Sequence, residues 1–279
     1  MVVFLNGHFL PEAEAVVPVN DRGFLLGDGF FETIRVAQGR PFRLAQHLER
    51  LVRGADFLKI KLPFTAKEIQ KIAGELIGKN ELAEAILRVT LTRGCGARGY
   101  STKGADQPTL ALTLHPLPPQ NGDEPLLWSL VTSAYRIPAS DALASFKTTS
   151  KILNVLARAE AEQKGADEAL LLNANGEVAE TAGGNLFWVY QDKICTVRTG
   201  RGVLPGITRA VVLEICQSLG LETTKRVIKP EMLRNAEGIF VTQSAVGIIP
   251  VVAFDGLPVA PSPLVDQIAS AYNEMLVRE

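Results

Sequence analysis

The chain has 279 residues, with 29 Lys and Arg against 30 Asp and Glu, a formal net charge of −1 and 47% hydrophobic content. That length buries a sizeable core as one large or two modest domains. The balanced charge argues against a dedicated nucleic-acid binder, which carries a basic excess, and no apolar run approaches the roughly 20 residues of a bilayer span.

The opening MVVFLNGHFL is broken by Asn6, Gly7 and His8 and has no basic end, so it reads as part of the fold and not as a secretory leader. VVFL, then Asn6-Gly7, then HFL predicts a hairpin. FFETIRVAQGRPFRL predicts a second hairpin around Gln38-Gly39. Through RLAQHLERLVRGADFLKI, Leu44, Leu48, Leu51, Ala55 and Leu58 recur at helical spacing. Thr65 is the expected cap of a helix over AKEIQKIAGELIG, and AILRVTLTRG and TLALTLHPL read as strands. HPLPPQNGDEP, with four prolines and Asn121-Gly122, breaks the pattern and predicts a linker over 116–125 between domains 1–115 and 126–279. Beyond it, LLWSLVTSAYRI, EALLLN, NLFWVY, GIFVTQ and VVAFDG read as strands, and NVLARAEAEQK and TRAVVLEICQSLG as helices. Mixed strand and helix without regular β-α-β alternation predicts two α+β domains.

Cys95, Cys195 and Cys216 are odd in number, far apart and without a C-x-x-C, which fits a reducing cytoplasm better than a disulfide framework. His8, His47 and His115 are widely separated, so no metal site is expected.

The segment Ala144-Ser145-Phe146-Lys147-Thr148-Thr149-Ser150-Lys151 holds two lysines. Ser150 or Thr149 is a suitable N-cap for the helix that follows. Ile152, Leu156, Ala159 and Gln163 mark one face of that helix, and Lys151, Asn154, Arg158 and Glu162 a polar one. Lys151 is then expected on the solvated side of the first turn, while Lys147 stands before the cap at the end of an extended stretch, beside Phe146. A nucleophilic lysine needs partial desolvation to release its proton near neutral pH. Pattern alone prefers Lys147 to Lys151, although two surface charges are the commoner outcome for such a segment.

GADEALLLNANGEVAETAGGNLFWVY, LPGITR and FVTQSAVGIIPV, in that order, with DRGFLLGDGFFETIRV and HLERL upstream, resemble the class IV aminotransferases, the fold-type IV pyridoxal-phosphate enzymes. The resemblance covers nearly the whole chain. It implies a small N-terminal and a larger C-terminal domain, pyridoxal 5'-phosphate held between them, a homodimer and a small-molecule substrate. Counting back without a gap from Glu160-Ala161 and Gly165 to Glu168 puts the family's covalent lysine on Lys147. The same resemblance puts the phosphate-binding arginine on Arg50 and the carboxylate facing the pyridine nitrogen on Glu180. It places the cofactor phosphate at Gly206, Ile207 and Thr208, where a helix start offers free N–H groups. Thr242 to Ala245 matches a loop flanking the cofactor on the substrate side, including Thr242, Ser244 and Ala245, but reads VGIIPV where many aminotransferases carry an acidic residue before I-T-P-V.

The stretch RGCGARGYS, Arg93 to Ser101, resembles aminodeoxychorismate lyases of that family. Its glycines predict an irregular loop. The resemblance implies that Arg98 clamps a substrate carboxylate across the dimer, with Tyr100 beside it and Arg35 as a further candidate. The expected reaction is lysis of 4-amino-4-deoxychorismate to 4-aminobenzoate and pyruvate. The alternative is transamination of a branched-chain or D-amino acid.

Overall fold

The computed structural model describes residues 1–117 and 126–279. The linker expected over 116–125 lies outside the described residues from 118 onward. The chain divides into two compact units, one of Met1–Pro118, Phe146–Ser150 and Glu279, the other of Pro119–Ser145 and Lys151–Arg278.

In the first unit, β1 (Val2–Leu5) and β2 (His8–Pro11) form an antiparallel hairpin. Asn6 and Gly7 turn it with φ of 48° and 101°, the left-handed pair a two-residue turn requires. The short helix α1 (Arg22–Leu26) is capped by Asp21, which accepts a hydrogen bond from the Gly23 N–H. β3 (Gly29–Ala37) and β4 (Arg40–Pro41) make the second expected hairpin, again with positive φ at Gln38 and Gly39. Helices α2 (Leu44–Leu58) and α3 (Ala66–Asn80) follow, the latter opened by a reciprocal Thr65–Glu68 capping box. β5 (Ala85–Thr92) and β6 (Thr109–Pro116) complete an antiparallel sheet of order β2-β1-β6-β5-β3-β4. Alternation along β3 sends Phe30, Ile34 and Val36 into the core with Leu48, Leu51 and Ala55 of α2. Phe31, Thr33 and Arg35 therefore point to the opposite face, and along β5 so do Arg88 and Thr90.

In the second unit, β7 (Trp128–Ile137), α4 (Ile152–Gln163) and β8 (Glu168–Asn173) come first, with β7 and β8 parallel. β9 (Val178–Thr181), β10 (Asn185–Tyr190), β11 (Lys193–Val197), α5 (Ile207–Ser218) and β12 (Thr223–Arg226) follow, with β11 and β12 parallel. β13 (Gly238–Gln243), β14 (Gly247–Phe254), β15 (Leu257–Pro258) and α6 (Pro263–Arg278) end the unit. The sheet runs β12-β11-β10-β13-β14-β7-β8-β9, with β15 pairing β14. Two helical crossovers between parallel strands, β7-α4-β8 and β11-α5-β12, thus sit inside a mixed sheet; the sequence pattern does not show them because antiparallel strands intervene.

Two local expectations are corrected. Neither Ser150 nor Thr149 caps α4: Lys151 occupies the N-cap position, and its side chain makes no capping hydrogen bond. Thr149 is used elsewhere, its N–H donating to Gly29 O at 3.0 Å and its hydroxyl to Gly27 O at 2.8 Å. Lys151 is accordingly not in the first turn, and it is half-buried and not on a solvated face. The buried stripe of α4 is Ala157 and Ala161, while Ile152, Val155 and Leu156 are exposed.

Candidate active site

Lys147 does not continue β7. A 3-10 turn, Ala142–Ser145, separates them, and the Lys147 segment bridges onto β3. The Phe31 N–H donates to Lys147 O at 2.9 Å. Phe146 anchors the segment by an edge-on contact with Phe30, centroids 5.9 Å apart, and by packing on Phe57 at 4.9 Å. A half-buried Lys147 then places its ammonium 4.8 Å from the Phe31 ring centroid. The same ring carries the Arg88 guanidinium at 3.9 Å, an attraction between cation and ring face. Arg88 is half-buried, burial lowers its pKa, and it donates to the Thr90 hydroxyl at 3.2 Å. Among the described residues no carboxylate pairs with it.

On the helix-covered face of the same sheet lies a buried ionic cluster. Arg50 donates to both Glu32 oxygens, Nε at 2.8 Å and Nη2 at 2.6 Å, and His47 Nδ1 lies 2.7 Å from Glu32 Oε2. All three residues are at most 2% exposed. Burial opposes ionisation of Glu32, but hydrogen bonds from Arg50 and His47 and the Arg50 charge outweigh it and hold the carboxyl below its usual range. His47 is pushed down, first by burial, then by the charges of Arg50 and Lys147, against the raising effect of Glu32. It therefore stays neutral near pH 7.

Arg98 and Tyr100 lie on an exposed loop after β5, Tyr100 at 88% exposure. Arg35 is not drawn to Lys147. It sits four residues along β3 from Phe31, on the order of 13 Å away, and bonds Glu84 at 2.5 Å.

The second unit gathers the remaining sequence candidates. The Glu180 carboxylate accepts from the Leu204 N–H at 2.9 Å and from Asn185 Nδ2 at 3.5 Å. Asn185 also donates to Leu204 O at 2.9 Å, tying β10 to the loop that enters α5. Gly206 is the N-cap residue of that helix, and a Cβ there would stand 2.1 Å from Asn185 Oδ1. Thr208 lies inside the first turn, its hydroxyl 3.5 Å from Ser244 Oγ. Asn185 pairs with Thr242 across β10 and β13, so Thr242 borders the same helix start. Ser244 and Ala245 form the half-buried turn into β14.

Two observations suit this helix start to an anion. The Thr242 hydroxyl is buried with no hydrogen-bond partner among the described residues. Arg209, 5% exposed in the first turn, bonds only Val197 O at 3.0 Å among the described residues and pairs with no carboxylate there. A buried cation beside the positive end of a helix is unfavourable unless an anion completes it.

Glu32, His47, Arg88 and Asn185 were not legible as site residues from the sequence. An acid between apolar residues of a buried strand, with His47 and Arg50 at i and i+3 of HLER, was the available signal for the first two.

The model of the class IV amino-transferase family matches residues 29–254. The chain belongs to the class IV aminotransferases. It is 34% identical, over 92% of its length and 88% of the relative's, to a Methanocaldococcus jannaschii protein provisionally designated a branched-chain-amino-acid aminotransferase. It is 30% identical to the aminodeoxychorismate lyase of Bacillus subtilis, over 89% of this chain and 85% of that protein. Among solved structures it is similar to the T.th. branched-chain amino acid aminotransferase with pyridoxamine 5'-phosphate: TM-score 0.94, 28% identity, 99% of this chain and 94% of that one. The chain is thus a pyridoxal-phosphate-dependent enzyme of the two-sheet fold-type IV architecture. The residues present fit that cofactor: a half-buried lysine beside an aromatic ring, a carboxylate held by a backbone N–H, and a helix start with a buried hydroxyl and an arginine that lack, among the described residues, a hydrogen-bond partner and a carboxylate respectively. Among the described residues no helix is long and apolar enough to cross a membrane, and no cluster of side chains could hold a metal.

Proposed function

We propose that the enzyme is a 4-amino-4-deoxychorismate lyase, releasing pyruvate and forming 4-aminobenzoate for folate synthesis. The observation that carries this reading is the R-G-C-G-A-R-G-Y-S loop, which presents Arg98 and Tyr100 outward while Arg88 waits on Phe31. The substrate bears two carboxylates, and Arg88 and Arg98, which have no carboxylate partner among the described residues, suit them. Lys147 is the covalent lysine, Arg50, Gly206, Ile207, Thr208 and Thr242 hold the phosphate, and Glu180 keeps a proton on the pyridine nitrogen. When bound, the cofactor accepts the electron pair left at the substrate's amino-bearing carbon.

The Lys147 amine, when free, would take the proton from that carbon. The C–O bond to the enolpyruvyl group then breaks, the ring aromatises, and the Lys147 ammonium returns the proton to the departing enolpyruvate. Ser244 and Ala245 border the substrate side. The reading includes a homodimer in which Arg98 serves the neighbouring active site. Exposed Phe24 and Leu25 of α1, with Val16, Val17 and Val19 before it, supply an apolar surface for a second copy. A cytoplasmic setting accords with three free cysteines.

Transamination of a branched-chain or D-amino acid is the second reading, favoured by Arg88, which equally suits the distal carboxylate of 2-oxoglutarate. Holoenzyme is supplied with 4-amino-4-deoxychorismate, and pyruvate and 4-aminobenzoate are assayed. Formation of both supports the lyase. Turnover only of leucine or D-alanine with 2-oxoglutarate overturns it. Lys147→Ala is expected to abolish both activities and the visible absorbance of the bound cofactor; Lys151→Ala keeps them.

A further inference from the structure

Arg22 is 4% exposed yet lies outside the groups described above. Its guanidinium collects three consecutive carbonyls of the loop after β5: Nη1 donates to Gly99 O and Ser101 O, both at 3.1 Å, and Nη2 to Tyr100 O at 3.3 Å. Its Nε donates to Asp28 Oδ2 at 2.8 Å, which fixes the plane of the fork. Asp28 is itself clamped by Arg93, whose Nε bonds Oδ2 at 2.7 Å and whose Nη2 bonds Oδ1 at 3.1 Å. Burial raises the Asp28 pKa, but the bonds from Arg93 and Arg22 win and keep it ionised.

The base of the loop is held by the neighbouring residue. Asp21 accepts from the Thr92 and Thr109 hydroxyls at 2.9 and 2.8 Å, at the two ends of the connection from β5 to β6. The Arg22 N–H donates to Gly94 O at 2.8 Å. Gly96 lets the loop lie on the Arg22 stem, since a Cβ there would meet Arg22 Cδ at 2.9 Å. All three bonds from the Arg22 fork to residues 99–101 go to backbone carbonyls, so the guanidinium sets the path of the loop and leaves the side chains of Arg98 and Tyr100 outward.

We propose that Arg22, oriented by Asp28, is a positioning residue for substrate: it fixes the loop that presents Arg98. The inference rests on the reading that Arg98 binds a substrate carboxylate. A lysine at position 22 keeps the charge but cannot reach three carbonyls in a fixed plane.

The test compares wild type, Arg22→Lys, Arg98→Ala and the double variant as holoenzymes, on whichever of 4-amino-4-deoxychorismate or leucine with 2-oxoglutarate the wild type turns over. Arg22→Lys is expected to raise KM about tenfold with kcat nearly unchanged, the signature of lost binding common to ground and transition states. The double variant is expected to match Arg98→Ala alone, because the two act on one contact. Trypsin is expected to cut after Arg98 or Lys103 faster in Arg22→Lys. A wild-type KM in Arg22→Lys while Arg98→Ala raises it overturns the inference and leaves the loop reading standing. Multiplicative effects in the double variant, or unchanged cleavage, also overturn it. An unchanged KM in Arg98→Ala overturns the loop reading, and the inference with it. If Arg22→Lys does not fold, Gly96→Ala lifts the loop from the retained guanidinium, and the same outcomes apply.

Discussion

Arg50 and Glu32 form a two-point, fully buried ion pair, with Nε to Oε1 at 2.8 Å and Nη2 to Oε2 at 2.6 Å. Residues 18 apart in the chain are joined because β3 turns its acidic position toward α2. Removing one partner of such a pair strands the other charge away from water, at about 3–5 kcal/mol. Glu32→Gln is therefore expected to lower the unfolding free energy by that order. It is also expected to weaken cofactor binding, since Arg50 loses the group that orients it. Chemical denaturation and a cofactor titration by absorbance check both; a variant as stable as wild type refutes the account.

His47 gives the pair a pH dependence. Its folded pKa lies below the ordinary 6.5, so as pH falls below 6.5 the unfolded chain binds a proton that the fold refuses. Stability is thus fully present above 6.5 and drains as pH falls toward the depressed folded value. Glu32, also lowered, adds loss in the same direction below its ordinary 4.5. The His47 contribution approaches about 1.4 kcal/mol per pH unit. His47→Gln is expected to flatten the stability curve between pH 6.5 and 5 while leaving the limb below 4.5. Denaturation midpoints across that range measure it, and an equally steep variant would rule His47 out.

Legibility followed the range of the forces. Hairpins at Asn6-Gly7 and Gln38-Gly39, the Thr65 box and the α2 stripe are set by local chemistry and were readable. β12, TTKR, has no apolar alternation, because it pairs at a sheet edge, and the sequence offers no sign of it. The α4 cap failed because Thr149 bonds Gly27, a partner 122 residues away that outcompetes a local helix end. Family spacing led to Lys147, Arg50 and Glu180, whereas their partners Glu32, Arg88 and Asn185 depend on strand register. Register decides which side chains share a face, and only the folded sheet reveals it.

The orphaned Thr242 hydroxyl makes two opposite predictions for one substitution. Thr242→Val keeps the shape and deletes a buried group with no partner among the described residues, so the cofactor-free protein is expected to be as stable or more so. If the hydroxyl binds phosphate, cofactor affinity falls about tenfold, the worth of one hydrogen bond to a charged group. Thermal midpoints without cofactor and a cofactor Kd separate the effects. Destabilised apoprotein with unchanged Kd would remove Thr242 from the phosphate site.

Arg88 stacks on Phe31 at 3.9 Å, on the ring that also carries the Lys147 ammonium at 4.8 Å. Two cations on one half-buried ring repel each other, and burial already disfavours the Arg88 charge. A substrate carboxylate relieves both costs, so its attraction to Arg88 is stronger than at an exposed site. Arg88→Met keeps an apolar stem over the ring and removes the charge. The ligand-free variant is expected to gain or hold stability, while KM for the carboxylate substrate rises about tenfold or more. Initial-rate kinetics beside a melting curve test the pair of outcomes. If KM stays at the wild-type value, the carboxylate is bound elsewhere and Arg88 serves only to pack against Phe31.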